Sequence, residues 1–233
     1  MKAIHSGLLA LVALSVMACS SLAQTAPAQG TLSDERHRYA FSWEGALSGT
    51  ATRRVQCQAQ DCSFIMEANV PGLASLTERS QFRWSEGVPR FSRYERSLNL
   101  LFLPQTVVIA REGDAIVTER RGRRQQYADE PRAVDAMGLE LQLRADLIRQ
   151  NRPRDTYWMA DVRELREVRY QEEAPTPLTV QGQSVPTRVF VFSQPERERE
   201  TRIWMDPARR FLPLQIVHRD GRETYRLTWT GSE

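Results

Sequence analysis

The chain is poor in the side chains on which most enzymes rely. Three of its 233 residues are histidine and three are cysteine. Beyond the N-terminal apolar segment only His37 and His218 remain, too few for an ordinary zinc site without unusual help. There is no serine in a nucleophile elbow, no His-Glu-x-x-His, and no glycine-rich loop between a strand and a helix to hold a phosphate. These absences exclude the commonest hydrolase and nucleotide-binding signatures. A paired-carboxylate site leaves no linear signature, because its acids converge only in three dimensions. Asp135, Asp155 and Asp161 are the acids such a site would need. The expectation is a protein without catalytic residues, cofactor or metal.

Charge of one sign is also missing. The sequence carries 32 basic and 29 acidic residues; without Lys2 the balance is 31 to 29, a formal +2. Arginine dominates lysine, which makes the isoelectric point basic without implying a nucleic-acid partner. No second apolar run reaches the roughly 20 residues needed to span a bilayer, so the mature chain is expected not to be transmembrane.

What is present begins with a targeting signal. Lys2 followed by the apolar stretch Ile4 to Ala18 reads as a signal peptide over 1–23, with Ser21-Leu22-Ala23 before Gln24 as the cleavage site. Val16-Met17-Ala18-Cys19 offers the alternative of a lipobox, with Cys19 lipidated and the protein anchored to a membrane. The expected location is therefore the periplasm. Residues 24–33 read as a flexible leader and 34–233 as a single β-rich domain. In an exported chain Cys57 and Cys62, separated by four residues, suit a disulfide across a hairpin.

Strand signals fill most of the rest. Tyr39, Phe41 and Trp43 alternate with small residues. Similar stretches follow at Leu47–Cys57, Ser63–Val70, Leu76–Trp84, Phe91–Leu98, Thr106–Arg111 and Ala115–Arg120, with Leu103-Pro104 read as a break. Val189 to Phe192 is a continuous apolar run, expected to be a central strand buried on both faces. Asp220-Gly221 is a hairpin signal. Glu119 to Arg124 reads as a hairpin tip. Its Arg120, Arg121, Arg123 and Arg124 are most simply solvated charges that discourage edge pairing, with a patch for anionic lipid headgroups as the functional alternative. Roughly a dozen strands with short turns predict a curved antiparallel meander closing into a barrel or half-barrel.

One segment breaks the pattern. Over about 135–150, Leu139, Leu143 and Leu147 recur at helical spacing, and Val134, Met137, Leu141 and Ile148 form a second apolar row. Apolar rows on two sides predict a helix covered over most of its circumference, lodged in or across the sheet. Asp135 is placed to cap it. Met137, Leu141, Trp158, Trp204 and Trp229 are the candidate lining of an apolar cavity.

Four segments in order resemble the bacterial envelope proteins of domain of unknown function family 3108. They are Tyr39-Ala-Phe-Ser-Trp43; Ser80-Gln-Phe-Arg-Trp-Ser-Glu-Gly-Val-Pro89 running into Tyr94; Asp135 followed by Leu139-Glu-Leu-Gln-Leu-Arg144; and Arg202-Ile-Trp-Met-Asp206 leading into Arg210-Phe-Leu-Pro-Leu214. Gly138, where a serine-like residue is expected, and the cysteine hairpin depart from that pattern. The resemblance implies an exported β-rich protein and lends no catalytic residue. By analogy of outline only, the fold looks like lipoprotein-carrier half-barrels. The leading expectation is a non-enzymatic carrier for a lipid or acyl chain. The alternative is an assembly protein that meets an envelope partner through a sheet edge or the basic turn.

Overall fold

The computed structural model describes residues 32, 34–43, 47–101, 103–194 and 198–233. The signal segment, Cys19 and almost all of the leader lie outside them. Eight strands come first: β1 (Glu35–Trp43), β2 (Leu47–Gln58), β3 (Asp61–Val70), β4 (Ala74–Ser85), β5 (Val88–Leu100), β6 (Leu103–Glu112), β7 (Ala115–Arg120) and β8 (Arg123–Ala128). The helix α1 (Ala136–Gln150) follows. Then come β9 (Tyr157–Ala160), β10 (Leu165–Val168), β11 (Tyr170–Glu173), β12 (Leu178–Val180), β13 (Gln183–Val185), β14 (Arg188–Gln194), β15 (Arg199–Asp206), β16 (Leu212–Asp220) and β17 (Glu223–Ser232).

Thirteen strands form one antiparallel sheet in the order β11-β14-β15-β16-β17-β1-β2-β3-β4-β5-β6-β7-β8. The sheet does not close, so it is a half-barrel with edges at β8 and β11. The hairpins β9–β10 and β12–β13 stand apart from it. The first and last strands meet in its middle: Tyr39 pairs with Trp229 and Trp43 with Tyr225. The rings of Trp43 and Tyr225 stack at 5.5 Å across that seam.

Short turns explain the meander. Glu86-Gly87, Arg121-Gly122 and Gln181-Gly182 each have positive φ at both positions, the backbone whose twist matches paired strands and which glycine adopts without a Cβ penalty. Leu103-Pro104, read from the sequence as a break, instead starts β6, paired with Leu100 and Asn99. Proline there disturbs little, since its fixed φ suits the first residues of a strand. Val189, Phe190 and Val191 are buried, but β14 is next to the edge strand β11 rather than central. Val189 and Phe190, on opposite faces of the strand, are both buried, so its apolar pattern looks the same as that of a central strand.

The helix fills the concave side. Every residue from Met137 to Leu147 is buried, which a surface helix never shows. Its apolar rows enter two separate clusters. Met137 and Leu141 pack with Val55, Phe64, Phe82, Phe91 and Ile116. Leu139, Leu143 and Leu147 pack with Val134, Tyr157, Val168, Phe190 and Ile203. Val134 thus belongs with the Leu139 row, not the Met137 row. Leu32, within the stretch read as leader, is fully buried in the first cluster. A third cluster, around Tyr39, Ala51, Leu214 and Trp229, is covered by Val180 on the β12–β13 hairpin. No helix among the described residues is long and apolar enough to cross a membrane.

Candidate functional site

The residues around α1 form a largely buried charged layer inside the half-barrel. Arg53 on β2 donates to Glu140 of the helix at 2.5 Å, with both side chains about nine-tenths buried. The Arg53 guanidinium also lies 4.9 Å from the Phe64 ring centre and 5.5 Å from that of Tyr39. One turn on, Arg144 donates to both Glu35 oxygens, at 2.9 and 3.3 Å. His37 Nε2 stands 3.6 Å from the same carboxylate, and His37 Nδ1 meets Ser232 at 2.9 Å. Burial alone would raise the Glu35 carboxyl; the His37 hydrogen bond and the Arg144 charge together bring it down to about 2. Burial works against the Arg53 charge as well, but Glu140 raises it above the usual arginine range. Burial pushes the Tyr39 hydroxyl up to about 12; it donates to the Pro213 carbonyl at 2.9 Å.

The space among these groups is a cavity of about 10 Å³, lined by Glu35, His37, Arg53, Glu140 and Arg144 with a few apolar neighbours. That volume holds about one water. The charged layer therefore fixes the helix to β1 and β2.

Asp135 is the N-cap of α1. Its Oδ1 accepts from the backbone N–H of Met137 and Gly138 at 2.9 and 2.7 Å, and its Oδ2 accepts from the Ser80 hydroxyl. Full burial raises its carboxyl to about 6 against the Ser80, Gly138 and Met137 donors. Gly138 fits its place tightly, since a Cβ there would lie 3.2 Å from that of Val134. Asp161 is tied to Arg166 at 2.5 Å, and Asp155 is exposed. The three acids of the enzyme alternative are thus a helix cap, an ion-pair partner and a surface residue.

The five candidate lining residues do not converge. Met137 and Leu141 are closed into the first core cluster. Trp229 sits in the third, with Arg209 over its ring at 4.8 Å. Trp204 carries Arg202 at 6.0 Å, and Trp158 is 37% exposed on β9. Strand tryptophans report burial on either face, so the sequence could not say which faced inward. Cys57 and Cys62 are bonded at the end of the β2–β3 hairpin. Arg120, Arg121, Arg123 and Arg124 are all exposed at the β7–β8 turn.

A different set of apolar side chains remains partly open. Strand side chains alternate between faces, so register assigns them. On β4, Leu76 and Ala74 share the face of Phe82 and Ser80, which meets α1. Leu76 pairs with Leu98, Ala74 with Leu100 and Leu100 with Leu103. Leu76, Leu98 and Leu100 are half-buried, and Leu103 is 69% exposed. They continue the concave face beyond the helix, and Leu76 packs against the third cluster, to which Val180 of the β12–β13 hairpin belongs. Sequence reading passed over this row because alternating leucines in a strand look like ordinary core.

An open antiparallel β-barrel-like sheet wrapped on one internal helix defines the class. Among solved structures, the chain is similar to a β-barrel-like protein of domain of unknown function 1849 from Brucella abortus, at 6% identity and a TM-score of 0.55, covering 87% of this chain and 98% of that one. At such identity the likeness shows the fold alone. No family model and no curated protein matches the sequence.

Proposed function

We propose that the protein is an exported, non-enzymatic binding module of the bacterial envelope that holds an apolar chain, a lipid or acyl group, on the upper concave face. One observation carries this reading. The row Leu76, Leu98 and Leu100 is only half-buried on the face that α1 fills elsewhere, and Leu103 beside Leu100 is 69% exposed. Apolar side chains left only partly withdrawn from water mark a surface that something else can cover. The signal-like N-terminus, the disulfide and the resemblance to the domain of unknown function 3108 family support export. The structural relative shares the fold and is itself of unknown function. A second reading is that an envelope protein adds a strand to the open sheet. It draws on the two unclosed edges, β8 and β11.

Titration of delipidated protein with fluorescent fatty acids and lysolipids tests the first reading. Saturable binding weakened about tenfold or more by Leu98→Gln is expected, from the roughly 1.5–3 kcal/mol of one buried leucine. No saturable binding would sink it. Consistent strand-edge crosslinks to one envelope protein would favour the second reading.

A further inference from the structure

We propose that the β5–β6 hairpin tip and the arginine-bearing β7–β8 turn together dock the protein on an anionic phospholipid bilayer. The inference goes beyond the apolar-chain reading and does not depend on it.

The tip reads Leu100-Leu-Phe-Leu-Pro104, five residues without a polar side chain. Leu101 is 59% and Leu103 69% exposed. Leu101 also has φ 49°, a conformation in which a bulky side chain is an outlier. The turns at Glu86-Gly87, Arg121-Gly122 and Gln181-Gly182 put glycine beside such a position; this one puts phenylalanine in the sequence. A turn selected for its own stability would carry Asn-Gly. Exposed Leu101 and Leu103 give up stability and solubility together, which makes sense only if these two side chains enter an apolar phase.

The arginines lie at the matching depth. Val107 on β6 pairs with Arg120, whereas the tip closes at Leu103 paired with Leu100. The arginine turn therefore stands four residues below the tip, about 13 Å along the strands. Arg121 spans part of that interval, its Nη2 donating to Gln105 Oε1 at 3.4 Å, two residues below Leu103. A tip sunk about 5–10 Å into the boundary of headgroups and acyl chains would bring Arg121 to the phosphate level. Arg124 is paired with Glu112 at 2.7 Å, while Arg120 and Arg123 have no ion pair among the described residues. Glu119 is the one acid within the turn. Apolar insertion plus an excess of arginine suits an anionic lipid surface and is poorly matched to a neutral one.

Flotation of the chain from Gln24 onward with phosphatidylglycerol–phosphatidylethanolamine vesicles, against phosphatidylcholine vesicles, tests this. The expected result is salt-sensitive binding to the anionic vesicles. Leu101→Asn should weaken it about tenfold and Arg121→Gln about fivefold. Asparagine tolerates positive φ, so Leu101→Asn should melt no lower than the parent, separating lost docking from lost fold. The same variant should leave the fatty-acid titration unchanged, because Leu101 lies at the turn, outside the concave row. No flotation with anionic vesicles, equal flotation with neutral ones, or flotation indifferent to both substitutions would overturn the proposal.

Discussion

At the scale of single residues, the molecule buries charge along its one internal helix. Glu140, Gln142, Arg144 and Asp146 alternate with leucines and alanine along α1, and all four are buried, in keeping with a helix covered over most of its circumference. The apolar rows were legible because hydrophobic spacing is local. The partners of Glu140 and Arg144 were not legible, because Arg53 and Glu35 lie 87 and 109 residues away in sequence. Breaking one member of a buried ion pair strands the other charge, typically at about 3–5 kcal/mol. Arg53→Met and Glu140→Gln are each expected to lose that much in chemical denaturation. The double variant should lose clearly less than the sum; strict additivity would show that the pair is not coupled. Two carboxyls set opposing pH dependences. Asp135 is raised from 3.8 to about 6, so its contribution is complete below pH 3.8 and is lost as pH rises through about 6. Glu35 is lowered from 4.5 to about 2, so its contribution is present above pH 4.5 and is lost as pH falls toward 2. Asp135→Asn caps a helix equally well but cannot ionise. Its stability should therefore stay flatter than the parent's between about pH 4 and 6. An unchanged fall over that interval would show that Asp135 does not titrate there.

At the scale of elements, hairpins were the most legible parts, since alternation and turn residues both act within a few positions. The cysteine hairpin is the clearest case. Cys57 and Cys62 face each other in register, and the bond closes so short a loop that the chain-entropy model assigns it about 2 kcal/mol. Replacing both with serine should lower the unfolding free energy by about that amount and leave the far-ultraviolet spectrum unchanged. A loss of fold would give the bond a larger role. The β5–β6 turn precedes Leu103-Pro104, which starts β6 instead of breaking the chain. Leu103-Pro104 has the proline that usually marks a break, while Leu101-Phe102 has none of the residues that turns favour. Sequence reading finds turns by the residues that stabilise them, so it overlooks a turn whose residues serve something else.

At the scale of the whole molecule, alternation foretold a curved meander but carried no information on which strands join at long range. The seam between β1 and β17 is the main case. His37 faces Ser232 and Trp43 faces Tyr225, and Glu233 N–H donates to the Arg36 carbonyl at 3.0 Å. A circular permutant tests how far this seam governs folding. Opening the chain at Arg152-Pro153 and joining Glu233 to the residues just before Leu32 by a short Gly/Ser linker makes all thirteen strands of the main sheet sequential, with α1 still following β8. It should melt near the parent and refold faster, because contact order falls. Slower refolding would mean that the seam is not the late step. The native connectivity also imposes a schedule. As the polypeptide emerges from the N-terminal side, β1 through β8 can pair early, but β1 offers Tyr39, Phe41 and Trp43 along an open edge until the final ten-residue strand arrives. For that interval the nascent protein is a sticky template, and any helper that shields it must release it before β17 can zip the two halves together.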